Sequence, residues 1–194
     1  VWRSDGTSEG TVLVKTFSGG IGFAEPDNYT DLGGVVVFNA NDGLFGDEVW
    51  GSDGTAAGTV LLKDINPLGS SCPTDFIGFN GRALFRATDL GNGGGELYIT
   101  DGTTEGTFLL KDIAPGFVSS NPQSFVSAGS RRVYFSANES QNRELWRTDG
   151  TATGTVKVAE IHPTAGSGAT PFTVFRGELL FFADDGVVGS ELWK

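Results

Sequence analysis

The chain has 194 residues, with 24 acidic side chains against 13 basic ones and a net charge of −11. That balance argues against nucleic acid, whose recognition draws most of its affinity from a basic face, and against anionic membrane surfaces; no apolar run approaches the length of a membrane span. One cysteine, Cys72, excludes an internal disulfide framework, and 30 glycines among many Val, Phe and Thr favour short strands and tight turns over helix.

The predicted elements follow one another in a fixed order. Val1-Trp2-Arg3 ends a strand, Asp5-Gly6-Thr7 is a turn, and 11–15 is a second strand. A Gly/Pro-rich connector covers 18–28. A weak strand at 29–32, broken by Gly33-Gly34, precedes a strong one at 35–40, a loop at 41–47, and Glu48-Val49-Trp50 with the turn Asp53-Gly54-Thr55. The second unit repeats this: a strand at 59–65, a connector at 66–75, a weak strand at 76–79, the Asn80-Gly81 turn and a strong strand at 83–87. A Gly-rich loop at 91–95 leads to Glu96-Leu97-Tyr98 and Asp101-Gly102-Thr103. The third has strands at 107–113, 125–127 and 132–137, a connector at 114–124, a loop at 138–143, then Glu144-Leu145-Trp146 and Asp149-Gly150-Thr151. The fourth has strands at 155–161, 172–175 and 179–183, a connector at 162–171, a loop at 184–190, and Glu191-Leu192-Trp193. No segment carries an i, i+3, i+4, i+7 apolar face, so no helix is predicted.

Asp5, Asp53, Asp101 and Asp149 stand 48 residues apart each time. A fixed period of this length marks an array of like supersecondary units. Repeats start near Trp2, Trp50, Tyr98 and Trp146, with a partial fifth onset at Glu191, so residues 1–194 read as one array. Asp bonds its own backbone two residues on and Gly accepts positive φ, so the four aspartates read as turn residues. Each unit is a meander of four strands, a to d, joined by short turns and linked to the next unit by a longer d–a connector. That is the organisation of a β-propeller blade. The expected fold is all-β: a β-propeller of four-stranded antiparallel blades, as a closed four-bladed ring or as part of a larger ring. Strand d at 11–15 and strands a–c at 172–193 would complete one shared blade. Strand c, however, is present at both ends, as Trp2 and Trp193, which tilts the reading toward an excerpt of a larger ring. The first residue falls inside a repeat, as in a processed or excerpted piece. An isolated array would expose apolar flanks and need further blades or copies of itself.

Glu144-Leu145-Trp146 with Asp149-Gly150-Thr151, and Glu48-Val49-Trp50 with its turn, resemble the ELWxxDGT repeat family of secreted or surface-exposed bacterial proteins. Tyr98 departs from the motif, and the first copy lacks the Glu. The resemblance spans essentially the whole chain. It implies a propeller-like fold and a secreted or cell-surface, extracellular setting; it implies no catalytic residue.

Several residues are candidates for chemistry. Trp2, Trp50, Tyr98, Trp146 and Trp193 suit either a ring of sugar-stacking platforms or packing between blades, and large aromatics mostly act by burial. The b–c loops are acidic at both ends. Asp42, Asp47 and Glu48 in the first, and Asp184, Asp185 and Glu191 in the fourth, are candidate Ca²⁺ ligands, against the plainer reading of solvated acidic loops; Asp89, Glu96, Glu139 and Glu144 flank the other two. No other cofactor is indicated. His162 aligns with Asn66 and Ala114 in connectors, and Cys72 with Asn121, so both read as loop residues. No Gly-x-Ser-x-Gly or phosphate loop occurs. Arg82, Arg131, Arg132, Arg143 and Arg176 do not recur in phase, so the convergent arginines of a sialidase are not expected. Near-identical units suit a non-catalytic binding or scaffold module that presents propeller-face loops to a glycan, polymer or protein. The alternatives are a glycosidase- or lyase-like enzyme, recognisable by unmatched acids at one channel mouth, and a purely structural subunit of an extracellular assembly.

Overall fold

The computed structural model describes residues 1–17, 25–89 and 94–194. Strands β1 (Trp2–Arg3) and β2 (Val12–Leu13) form a hairpin at one end. The first four-stranded sheet holds β3 (Asp27–Asp31), β4 (Val36–Asn41), β5 (Asp47–Ser52) and β6 (Val60–Lys63). The second holds β7 (Thr74–Phe79), β8 (Arg82–Asp89), β9 (Gly94–Thr100) and β10 (Phe108–Lys111). The third holds β11 (Gln123–Ser127), β12 (Val133–Glu139), β13 (Asn142–Thr148) and β14 (Val156–Lys157). A last sheet has three strands, β15 (Thr170–Phe175), β16 (Glu178–Asp184) and β17 (Ser190–Trp193). Within each sheet the strands pair in chain order and antiparallel, and no described residue is helical. The fold is all-β and of propeller type.

Some boundaries differ from expectation. Residues 18–24 of the first connector and 91–93 of the Gly-rich loop lie outside the described residues, while Gly94 and Gly95 belong to β9. The expected loop at 138–143 is a tight hairpin in which Ser140 and Gln141 take φ of 52° and 73°, the left-handed pair that a two-residue turn requires. Strand d is shorter than its apolar run, with only two residues in β14.

The sheets stack flank to flank. One repeat position, Phe38, Phe85, Phe135 and Phe181, faces the preceding sheet; its neighbour, Val37, Leu84 and Tyr134, faces the following one. Alternation along a strand sends successive side chains to opposite flanks, and a sheet between two others buries both. Strands β3, β7, β11 and β15 lie side by side in that order. Trp50, Tyr98 and Trp146 are each 4% exposed within these interfaces, whereas Trp2 is 66% exposed. The shared closing blade is not formed: β2 is bonded to β1 and stands in a separate sheet from β15–β17.

The c–d turn is the same construction four times. Oδ1 of Asp5, Asp53, Asp101 and Asp149 accepts from the backbone N–H (2.8–3.0 Å) and the hydroxyl (2.7 Å) of the threonine two residues on. That threonine Oγ1 accepts from the N–H of Gly10, Gly58, Gly106 or Gly154 at 2.9 Å. A Cβ on any of these glycines would lie 1.9–2.1 Å from the aspartate Oδ1. The second glycine of the motif is thus demanded by close approach, and the doubly bonded aspartate cannot swing aside cheaply. Gly106→Ala should cost about 1–3 kcal/mol in urea unfolding, as overpacking does. Adding Asp101→Ala to it should recover part of that loss, a non-additivity that a plain glycine propensity effect would not produce.

Candidate functional site

The glutamate that opens strand c is buried. Glu48, Glu96 and Glu144 are 0%, 3% and 0% exposed. Each carboxylate is held by a serine of the following connector. Ser71, Ser120 and Ser167 donate their hydroxyls to Oε2 at 2.6 Å and their backbone N–H to Oε1 at 2.8–3.0 Å. Ile65 and Ile113 N–H add a third donor to Glu48 and Glu96. The serines follow their glutamates by 23, 24 and 23 residues. That recurrence is a signal the sequence carries and that a reading of the loops as solvated overlooks. Burial, outweighing the donors, pushes the Glu48 carboxyl up to about 7 and raises Glu96 as well.

Of the calcium ligands proposed from sequence, those of the first loop are engaged separately, while desolvation and then the nearby charges of Asp185 and Asp184 raise the Glu191 carboxyl. Asp42 Oδ1 accepts from the N–H of Leu44 and Phe45, Asp47 Oδ2 from Ser70 Oγ, and Glu48 is locked to Ser71. Asp184 and Asp185 cap their own turn through Gly186 and Val187. Among the described residues no three His, Cys, Asp or Glu side chains converge where a metal ion fits. Asp42, Asp184 and Asp185 thus each spend a carboxylate oxygen on local backbone donors. Trp50, Tyr98 and Trp146 are too buried to stack on a sugar. Trp193 is half-buried and donates its indole N–H to Ala183 O at 3.0 Å.

His162 Nδ1 accepts from Ala165 N–H at 2.9 Å and so caps its own connector. Cys72 holds φ of 48°, matched by Asn121 at 43°, a left-handed position that asparagine tolerates well. Partial burial, then the charges of Asp47 and Glu48, raise the Cys72 thiol above its ordinary range, which makes it a poor nucleophile at neutral pH.

What the sequence did not single out is a polar cleft of about 370 Å³ between the first two four-stranded sheets. Its walls include Glu25, Asp27, Asn39, Asp47, Thr74 and Arg86. Asn39 Nδ2 donates to Asp27 Oδ1 at 3.0 Å across the β3–β4 pair. Asn39 Oδ1 and Arg86 Nε are buried and, among the described residues, have no hydrogen-bond partner. Arg86 Nη1 donates to Asn121 Oδ1 at 3.1 Å, and Arg143 Nη1 to Asn121 O at 3.3 Å and Ser136 Oγ at 2.8 Å. Two arginines that are out of phase in the repeat therefore meet at Asn121. Burial, then the Arg86 charge, lowers the Arg143 guanidinium from its ordinary value.

No family model matches the chain, and no curated protein does. Among solved structures, a protein described as TolB from Agrobacterium tumefaciens aligns over 98% of this chain and 68% of its own, at 13% identity and a TM-score of 0.55. TolB from Acinetobacter baumannii aligns over 82% of this chain and 37% of its own, at 13% identity and a TM-score of 0.49. An endo-1,4-beta-xylanase from Bacteroides thetaiotaomicron reaches a TM-score of 0.39 at 16% identity, over 91% of this chain and 72% of its own. At such identity the first likeness speaks to the fold alone.

Two opposed pH effects follow. Threonine hydroxyls first, then threonine N–H groups, lower the turn aspartates Asp5, Asp53 and Asp149 below their ordinary 3.8. Their contribution is present above that value and is lost as pH falls through the lowered one. Glu48 is raised, so its contribution is full below 4.5 and is lost as pH rises through about 7. Urea midpoints should therefore decline from pH 5 to pH 8, and Glu48→Gln should flatten that decline. At pH 5 the same substitution should cost about 1–3 kcal/mol, because an amide N–H₂ replaces an acceptor that faces fixed donors. Calcium and chelator should leave the melting temperature unchanged; a calcium-dependent rise would restore the metal reading.

Proposed function

We propose that the chain is a non-catalytic binding module of a secreted or cell-surface bacterial repeat protein of the ELWxxDGT type, and that it takes a hydroxyl-rich ligand, a glycan, in the cleft between its first two four-stranded sheets. The observation that carries this is the pair Asn39 Oδ1 and Arg86 Nε, an acceptor and a donor, both buried and both without a partner at that cleft. A sugar hydroxyl is donor and acceptor at once, and it answers these atoms once the Asn39 and Arg86 side chains turn toward the cleft they line. Glu25 and Thr74 offer further acceptors to neighbouring hydroxyls. The position occupied by Asn39 and Arg86 is Ser136 in the third unit and Phe182 in the fourth, so this cleft is not copied around the array.

A second reading, a glycosidase-like enzyme, has one observation in its favour. Asp27 stands where the other units carry Thr74, Gln123 and Thr170, and Asp47 where they carry Gly95, Arg143 and Ser190. These are unmatched acids at one mouth. Both, however, are already engaged, Asp27 by Asn39 and Asp47 by Ser70. Binding without turnover is therefore the reading that the geometry supports best.

A glycan array followed by calorimetric titration of the hits tests it. Asn39→Ala and Arg86→Lys, which removes the Nε donor and keeps the charge, should each weaken a hit by roughly tenfold, the worth of about one charge-assisted or buried hydrogen bond. An array without hits would overturn the glycan assignment. New reducing ends from a bound polymer would replace the module with the enzyme.

A further inference from the structure

Arg86 in β8 and Arg143 in β13 meet over the connector that joins the second and third four-stranded sheets. Arg86 Nη1 donates to the side-chain Oδ1 of Asn121 at 3.1 Å. Arg143 Nη1 and Nη2 both donate to the backbone O of the same residue at 3.3 Å, and Nη1 also to Ser136 Oγ at 2.8 Å. Asn121 is held in place: its N–H donates to Gly95 O at 2.9 Å, and Ser120 before it is locked to Glu96. One neutral residue therefore carries two cations. An amide oxygen answers an N–H donor but cancels no charge, and each guanidinium has five donors to place. Acids are not scarce in a chain with 24 acidic and 13 basic side chains. Yet among the described residues no carboxylate lies within ion-pair distance of either arginine, and the ion pairs there are made by Lys157 and Lys194. Asp27 and Asp47, which line the cleft with Arg86, are bonded to Asn39 and Ser70. The repeated frame is built without this pair. The position of Arg86 is Asn39, Ser136 and Phe182 in the other units, and that of Arg143 is Asp47, Gly95 and Ser190.

We propose that Arg86 and Arg143 together bind an oxyanion, the carboxylate or sulfate group of a small ligand, beside Asn121. Two half-buried like charges repel each other, and a bound anion replaces that repulsion with attraction to both. Burial, then the Arg86 charge, already lowers the Arg143 guanidinium, in keeping with a pair that lacks its counter-charge. A planar guanidinium presents parallel N–H donors to two oxygens at once, which an oxyanion supplies and a lone hydroxyl does not. Arg86 Nε, buried and without a partner among the described residues, shows that Asn121 alone does not satisfy the group. This site recognises charge where the cleft recognises hydroxyls, and it shares only Arg86 with the cleft. It therefore stands without the glycan reading; where both hold, the ligand is an acidic glycan.

Amide NMR spectra of the 194-residue chain, titrated separately with sodium glucuronate, sodium sulfate and glucose at constant ionic strength, test this. The Asn121 and Arg143 amides should shift saturably with one or both anions, at a midpoint of about 1 mM, the worth of two charge-assisted hydrogen bonds. Glucose should leave them in place. A response to glucuronate alone assigns the carboxylate of a sugar acid, and a response to sulfate alone assigns a tetrahedral anion. Arg143→Gln should weaken the response about tenfold or more. Asn121→Asp keeps the oxygen that Arg86 uses, tolerates the left-handed backbone held there at φ of 43°, and supplies the missing negative charge from within. It should raise the melting temperature and abolish anion binding, and it decides the matter if Arg143→Gln does not fold by circular dichroism. Shifts that grow without saturating, or equal shifts with glucose, would overturn the proposal. So would a folded Arg143→Gln or Asn121→Asp chain that binds the anion as tightly as the wild type. Such a failure leaves the cleft untouched, since Asn39→Ala probes that separately.

Discussion

A glutamate buried at the start of strand c, bonded to a serine 23 or 24 residues further along, fixes where one sheet ends and the next begins. Ser71 lies just before β7, so the Glu48 carboxylate pins the first strand of the second sheet to the third strand of the first. Burying a carboxylate is costly unless donors meet it, and here the donors are fixed backbone and hydroxyl groups of the connector itself. The connector must therefore return to one place, whatever the residues between do. Ser120 and Ser167 repeat the arrangement on Glu96 and Glu144, which keeps successive sheets at one spacing.

With that spacing set, the apolar flanks do the rest. Phe85 shares one interface with Val37 and Phe135 the next with Leu84, an aromatic ring on one side and an aliphatic side chain on the other, while Phe181 shares the third with Tyr134. Such a surface is complementary to a translated copy of itself and not to a mirror of itself. Trp2 and Leu192 lie on the two outer flanks of these 194 residues and are exposed.

The repeated frame also explains where difference is tolerated. The Asp-Gly-Thr turns and the Glu–Ser locks repeat the same hydrogen bonds from unit to unit, so those side chains are committed to the frame. The position after the buried Phe in strand b has no such duty and holds Asn39, Arg86, Ser136 and Phe182 in turn. The proposed recognition uses positions of that kind, where Asn39 Oδ1 and Arg86 Nε remain uncommitted and rigid strands hold them in place. Asn39 and Arg86 meet this description, and Arg143, out of phase with Arg86, joins it through Asn121.

Much of the architecture was legible without coordinates. The 48-residue period, the turn at Asp53-Gly54-Thr55 and the alternation in Val36 to Ala40 are local properties, carried by residues within a few positions of one another. The destination of the glutamates was not legible. Glu48 beside Asp47 reads as an acidic loop until the Ser71 connector is folded onto it, and only then does a charge expected in solvent become a buried anchor. The cleft was hidden for a related reason: Asp27, Asn39 and Arg86 come from two sheets and share no motif. The chain by itself determined its unit, its turns and which side chains alternate, because backbone geometry and short-range hydrogen bonds decide those. Tertiary structure alone decided which carboxylates are buried and which arginines converge, because burial and convergence depend on neighbours that sequence separation does not specify.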